Sequence, residues 1–104
     1  MPVPSRSYVA SYVMTVTESI RAKLQAGLQP LALEIVNDSH KHKGHGGYHP
    51  SGESHFTVTI VSAAFQGLSR VARQRLVYDL LREELAGPLH ALALITKTPE
   101  EAGL

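Results

Sequence analysis

The chain has 104 residues, 43% hydrophobic and 18% charged, with ten Lys and Arg against nine Asp and Glu. That is enough chain for one domain with a single core, which folds without disulfide or metal staples. The absence of Cys excludes a disulfide, a thiolate nucleophile and a Cys-ligated zinc site, and the near-neutral balance leaves no general footprint for nucleic acid.

Residues 1–15 read as an N-terminal extension. Positions 1–17 contain no Asp or Glu, one basic residue (Arg6), and Ser5, Ser7 and Ser11. Organelle transit segments share the acidic-poor, Ser-containing character, although one Arg is few. A disordered tail is the simpler reading, and Met14 could be an older start. No apolar run reaches the length of about 18 residues that a membrane-spanning helix needs. The expected setting is therefore intracellular and soluble: cytoplasmic, or mitochondrial or chloroplastic if the extension is a transit remnant.

The domain proper is expected over 16–97. Thr15 and Glu18 have capping-box spacing, and Ile20, Leu24 and Leu28 follow on one stripe, so a helix is predicted over Val16–Ala26. Gly27 serves as its stop and Pro30 prevents resumption. Leu31–Asn37 alternates, with Leu33 and Ile35 on one side and Glu34 and Val36 on the other, and is read as a strand. His55–Ser62 alternates again, with Phe56, Val58 and Ile60 on the core side. The Asp38–Ser54 connection between them exceeds the usual length of a hairpin loop, and loops that long are usually functional or disordered.

After a turn at Phe65-Gln66-Gly67, Ser69 can cap a helix running to Leu85. Leu76, Val77, Leu80, Leu81 and Leu85 form its buried face, and Arg73, Gln74, Asp79, Arg82 and Glu83 its outside. Gly87 and Pro88 end it. Leu89–Thr96 is the last strand, and 98–104 is a C-terminal tail. The order α-β-β-α-β makes the last two strands parallel if they share a sheet. The predicted fold is an α/β (α+β) two-layer sandwich with a mixed three-stranded sheet and helices on one face. Its core should contain Phe56, Val58, Ile60, Leu80 and Leu81.

Five of the six His fall between positions 40 and 55: His40, His42, His45, His49 and His55; the sixth, His90, opens the last strand. Imidazole ligates Zn, Cu, Ni and Fe. A solvated polar loop is the plain alternative. A structural zinc site needs four ligands at a finger-like spacing that is not present. What remains is an incomplete site, offering one or two His to a metal held mainly by a partner. A metal-dependent DNA nuclease would want more carboxylates than Asp38 and Glu53. No P-loop or dinucleotide-binding glycine pattern occurs.

Taken together, several segments resemble the BolA family. They are Asn37-Asp38-Ser39, Gly52-Glu53-Ser54-His55-Phe56, Phe65-Gln66-Gly67, Arg73-Gln74-Arg75-Leu76-Val77-Tyr78, Glu83-Glu84-Leu85 and His90-Ala91-Leu92-Ala93-Leu94. The resemblance runs from Val16 to Pro99. It implies a class II KH-like fold and a non-enzymatic adaptor that shares a 2Fe–2S cluster with a monothiol glutaredoxin and glutathione. In that arrangement His90 is one ligand, and the other comes from the first loop, where register from Asn37 points to His42. His55 matches a further recurrent His beside the site, and His40 and His45 leave the loop assignment open. Such a chain is monomeric when alone. One departure is Arg73-Gln74-Arg75, where many relatives have Arg-His-Arg.

The competing reading is a DNA-binding stress-response regulator, which also follows from the resemblance. Arg70, Arg73, Arg75 and Arg82 lie on or beside one helix and could meet phosphates. A solvated face carrying Glu83 and Glu84 is the simpler account. The Gly-x-x-Gly clamp of KH domains is not evident before the long helix, where Phe65-Gln66-Gly67-Leu68 offers one Gly.

Overall fold

The computed structural model describes residues 14–38 and 54–104. The elements, in chain order, are α1 (Val16–Leu28), β1 (Ala32–Asn37), β2 (His55–Val61), a 3₁₀ turn (Ala63–Phe65), α2 (Arg70–Leu80), α3 (Arg82–Ala86) and β3 (Ala91–Lys97). The sheet order is β1-β2-β3. β1 runs antiparallel to β2, with Ile35 opposite Val58, and β3 runs parallel to it, with Val58 opposite Leu94. This is the mixed α-β-β-α-β sheet that the periodicities require.

Side-chain alternation explains the layering. Phe56, Val58 and Ile60 are buried, whereas His55, Thr57 and Thr59 between them are half-exposed. The buried set meets Ile20, Leu24 and Leu28 of α1, Val77 of α2, and Leu81, Phe65 and Leu89 from the connections. Leu33, Ile35, Leu92 and Leu94 close the flanks of this core. Burying side chains of this size contributes about 1.5–3 kcal/mol each.

Both predicted caps are present. The Thr15 hydroxyl accepts from the Glu18 N–H at 3.1 Å, and the Glu18 carboxylate accepts from the Thr15 N–H at 2.9 Å. Ser69 accepts from the Ala72 N–H at 3.1 Å. Ser62 is fully buried and spans two elements: its hydroxyl donates to the Leu28 carbonyl at 2.6 Å and accepts from the Ala64 N–H at 3.0 Å.

Four expectations need correction. Gly27 does not stop α1: the helix continues to Leu28 and ends at Gln29, which adopts φ 46°. Gly27 instead lets α1 approach α2, since a Cβ there would lie 2.8 Å from both methyls of Leu80. Second, the long helix divides at Leu81, whose φ −103° and ψ 22° separate α2 from α3. Beyond that break Glu84 turns inward against α1, where it accepts from the Ser19 hydroxyl and from Lys23 Nζ. Third, Arg73 is not on the outside but buried. Fourth, the last strand is Ala91–Lys97, with Leu89 a buried anchor before it. Leu81 joins the core as expected, and Leu80 packs against its edge.

Candidate functional site

Two of the candidate histidines lie together where β2 and β3 begin. Strand alternation puts His55 on the face opposite Phe56, and parallel register sets it across from Ala91. His90 immediately precedes β3. Its N–H donates to the Ser54 carbonyl at 2.7 Å, and the Ala91 N–H donates to the same oxygen at 3.1 Å. Buried Leu89, whose N–H donates to the Glu84 carbonyl at 3.1 Å, fixes the chain on the other side of His90. The two imidazoles stack with centroids 6.2 Å apart and planes 25° from parallel. His55 is half-exposed and His90 exposed, so a partner can reach both.

The end of β1 reaches the same place. The Asp38 N–H donates to the His55 carbonyl at 2.7 Å, and its carboxylate accepts from the Thr57 hydroxyl at 2.6 Å. Asp38, His55, Thr57, Ala91 and Ala93 line a shallow cleft with the edges of Phe56 and Leu92. The segment from Asp38 to Ser54 therefore has both anchor points at this corner. His40, His42, His45 and His49 belong to that segment and lie outside the described residues.

The donor chemistry is one-sided. Neutral imidazole is a good ligand for iron, zinc and copper, and no Cys is available from this chain. Among the described residues no three His, Asp or Glu side chains are gathered as a metal site. The chemistry of the His55–His90 pair fits a 2Fe–2S cluster only as a contribution of imidazole to a centre whose thiolates would come from elsewhere.

The four candidate arginines differ in exposure. Arg70, Arg75 and Arg82 are exposed, and Arg82 lies 3.9 Å from Asp79 one turn back. Arg73 is held inside. Its guanidinium donates to Glu101 at 2.7 and 3.2 Å, to the Leu68 carbonyl at 3.0 Å and to the Thr96 carbonyl at 3.4 Å, and lies 5.9 Å from the Phe65 ring centre. Bidentate hydrogen bonds of this kind are the strong ones. Arg70 shares a groove with Lys97, but Glu101 lines it too.

Sequence reasoning missed Glu101, although its signal was legible. Thr98 and Glu101 have capping-box spacing, and each accepts from the other's N–H, at 3.2 and 2.9 Å. The Arg73 guanidinium and the Thr98 N–H together push the Glu101 carboxyl down to about 2. Residues 98–104 thus fold back on α2. At the other helical contact, burial alone would push the Glu84 carboxyl up, but hydrogen bonds from Ser19 and Lys23 outweigh it and hold the group below the usual range.

Comparison with known proteins agrees with this architecture. The family model described as BolA-like protein matches residues 24–101. The chain is 51% identical over 89 residues to an uncharacterized protein in the cobS 5' region of Sinorhizobium sp., covering 85% of this chain and 96% of that protein. It is 49% identical over 85 residues to Protein BOLA1, chloroplastic, of Arabidopsis thaliana, covering 80% of this chain and 53%, about half, of that longer relative. The solved structure of BolA1 from Arabidopsis thaliana superposes with a TM-score of 0.78 at 46% identity, covering 86% of this chain and 98% of that one. With the class II KH-like fold in place and the family's sequence pattern running through it, the chain belongs to the BolA family.

Proposed function

We propose that this chain is a non-enzymatic adaptor that shares a 2Fe–2S cluster with a monothiol glutaredoxin. The observation that carries the reading is the stacked His55–His90 pair, 6.2 Å between centroids, on backbone fixed by the first rungs of the β2–β3 ladder. Two irons need four terminal ligands, and Cys thiolate is the usual one. A chain without Cys completes such a centre only with a partner that supplies sulfur. His90 is the anchor, because both flanking residues are pinned. A second imidazole comes from the 39–53 segment, with His42 first in register and His40 and His45 as alternatives.

Imidazole ligation removes thiolate negative charge from one iron and raises the cluster's potential. That suits a cargo that is handed on or sensed rather than kept. The cluster arrives as cargo and leaves as cargo, and the chain's own work is to bind, orient and shield.

The test is to mix the pure chain with a glutaredoxin homodimer loaded with the cluster and glutathione, following visible circular dichroism and molecular mass. A new spectrum with a one-to-one mixed species is the expected result. Retention of the homodimer spectrum at saturating chain overturns the proposal. The regulator reading has less support from the fold, since Arg73 is held by Glu101 and Arg82 lies 3.9 Å from Asp79.

A further inference from the structure

β3 has β2 on one side and, among the described residues, no strand on the other. The Ala91 N–H donates to the Ser54 carbonyl at 3.1 Å, and the Lys97 carbonyl accepts from the Ser62 N–H at 3.0 Å. Alternate residues of a parallel ladder turn to the neighbouring strand, so Ala91, Ala93, Ile95 and Lys97 spend their backbone groups on β2. Leu92, Leu94 and Thr96 turn theirs outward, and one of these groups, the Thr96 carbonyl, accepts from Arg73 at 3.4 Å. The strand carries no Pro and no charge before Lys97, so it lacks the usual protection of an exposed edge. A groove runs between the second half of this edge and α2, lined by Arg70, Gln74, Glu101 and the 94–97 stretch of β3. Arg70 and Gln74 lie one turn apart on α2, both exposed. Arg73 holds both carboxylate oxygens of Glu101, which makes that pair neutral. Neither Arg70 nor Lys97 has an ion pair among the described residues, so the groove keeps two positive charges.

We propose that the free edge of β3 and this groove take an extended acidic segment of a partner protein as a fourth strand. The outward N–H and C=O groups of Leu92, Leu94 and Thr96 supply main-chain pairing, and the alternation of the added strand supplies selectivity. Its side chains on one face lie beside Ala93 and Ile95, on the exposed side of the sheet. Those on the other face point to α2, where carboxylates meet Arg70 and Gln74, with Lys97 at the end of the strand. A peptide fits better than a nucleic acid for three reasons. A phosphodiester chain cannot pair with a strand edge in register, Glu101 sits on the rim, and no aromatic side chain lines the groove for a base to stack on. Lys97 is seven residues beyond His90, roughly 23 Å along the strand at about 3.3 Å per residue. Occupation of the groove therefore leaves the histidine corner free, and the inference stands apart from cluster sharing.

The probe is an end-blocked eight-residue peptide of alternating Val and Glu, titrated at low salt into the full isotope-labelled chain and followed by amide spectra and hydrogen exchange. In the free chain Leu92, Leu94 and Thr96 should exchange faster than Ala93 and Ile95. The peptide should shift and slow the first three. N-methylating all the Val nitrogens or all the Glu nitrogens should abolish binding in one case and spare it in the other, since only one set faces β3. Joint Arg70→Glu and Lys97→Glu substitution should weaken binding roughly tenfold or more and transfer it to the peptide with Lys in place of Glu. Protection of Leu92, Leu94 and Thr96 in the free chain overturns the proposal, because the edge is then already covered. So do absence of binding at millimolar peptide, an equal response to the two methylations, and affinity indifferent to the charge reversal. A single-stranded thymidine oligonucleotide that shifts the same amides and displaces the peptide overturns it in favour of nucleic acid. The exchange and methylation arms use the wild-type chain, so they decide the matter if the double variant does not fold.

Discussion

Replacing Gly27 by Ala tests the contact between helices α1 and α2. A Cβ at this position would lie 2.8 Å from both terminal methyls of Leu80 and 3.4 Å from its Cγ. Ordinary contact begins at about 3.4 Å, so Leu80 must turn or the helices must part by roughly 0.6 Å. Overfilling a packed site costs about 1–3 kcal/mol. Against this, Ala gains about 0.8–1.0 kcal/mol over Gly inside a helix, and Gly27 is inside α1. The net change for Gly27→Ala is therefore a loss of about 0–2 kcal/mol. In a Leu80→Ala background the obstruction is gone and only the helical gain remains, so the same substitution should stabilise by about 0.8–1.0 kcal/mol. The coupling between the two sites is then about 1–3 kcal/mol, well above the additivity error of distant positions. Urea unfolding of the four proteins measures it, since midpoints shift in proportion to stability when slopes are equal. Equal effects of Gly27→Ala in both backgrounds would refute the reasoning and return Gly27 to the role of a simple helix terminator.

Three further outcomes follow from the geometry. Glu101 titrates at about 2 in the folded chain, below its ordinary 4.5, so its contribution to stability is fully present above about pH 4.5 and fades as pH falls toward 2; melting curves across that window should show a loss that Glu101→Gln reduces. Ser62→Ala leaves the buried Leu28 carbonyl and Ala64 N–H without their partner, which should cost about 1–3 kcal/mol by denaturant unfolding. Arg73→Ala should lower the melting temperature and leave any residual DNA affinity unchanged, whereas a DNA contact there would reduce affinity for all sequences and flatten its salt slope; titration of a labelled duplex at two salt concentrations separates the two.

The fold was largely legible because its signals are local. The period-2 runs at Leu33–Ile35 and Phe56–Ile60 state which side is buried, and Thr15-x-x-Glu18 and Ser69 mark the helix starts directly. Gly27 misled because a glycine beside Pro30 has the signature of a stop, and only the neighbouring helix reveals the contact that demands it. The break at Leu81 carries no Gly or Pro; Leu76, Val77, Leu80, Leu81 and Leu85 continue the stripe straight through it. Arg73 was assigned to the surface by residue type, although Phe65 and Glu101 together make a place for a buried guanidinium. At the candidate site, residue type and family pattern pointed to His55 and His90, but not to the buried Ser54 that contacts both. The contacts of Ser54 have no spacing signature, because its hydroxyl meets the adjacent residue and its carbonyl meets one 36 positions away, across a parallel pair.

The central claim is that this chain supplies imidazole to a cluster it cannot build alone, with His90 as the fixed ligand. The most direct measurement compares wild type and His90→Ala in the visible circular dichroism of a mixture with cluster-loaded monothiol glutaredoxin. His90 is exposed, so the substitution should leave the fold intact. The account predicts a mixed-complex spectrum for wild type and the unaltered glutaredoxin homodimer spectrum for His90→Ala. An identical mixed-complex spectrum from both proteins contradicts it.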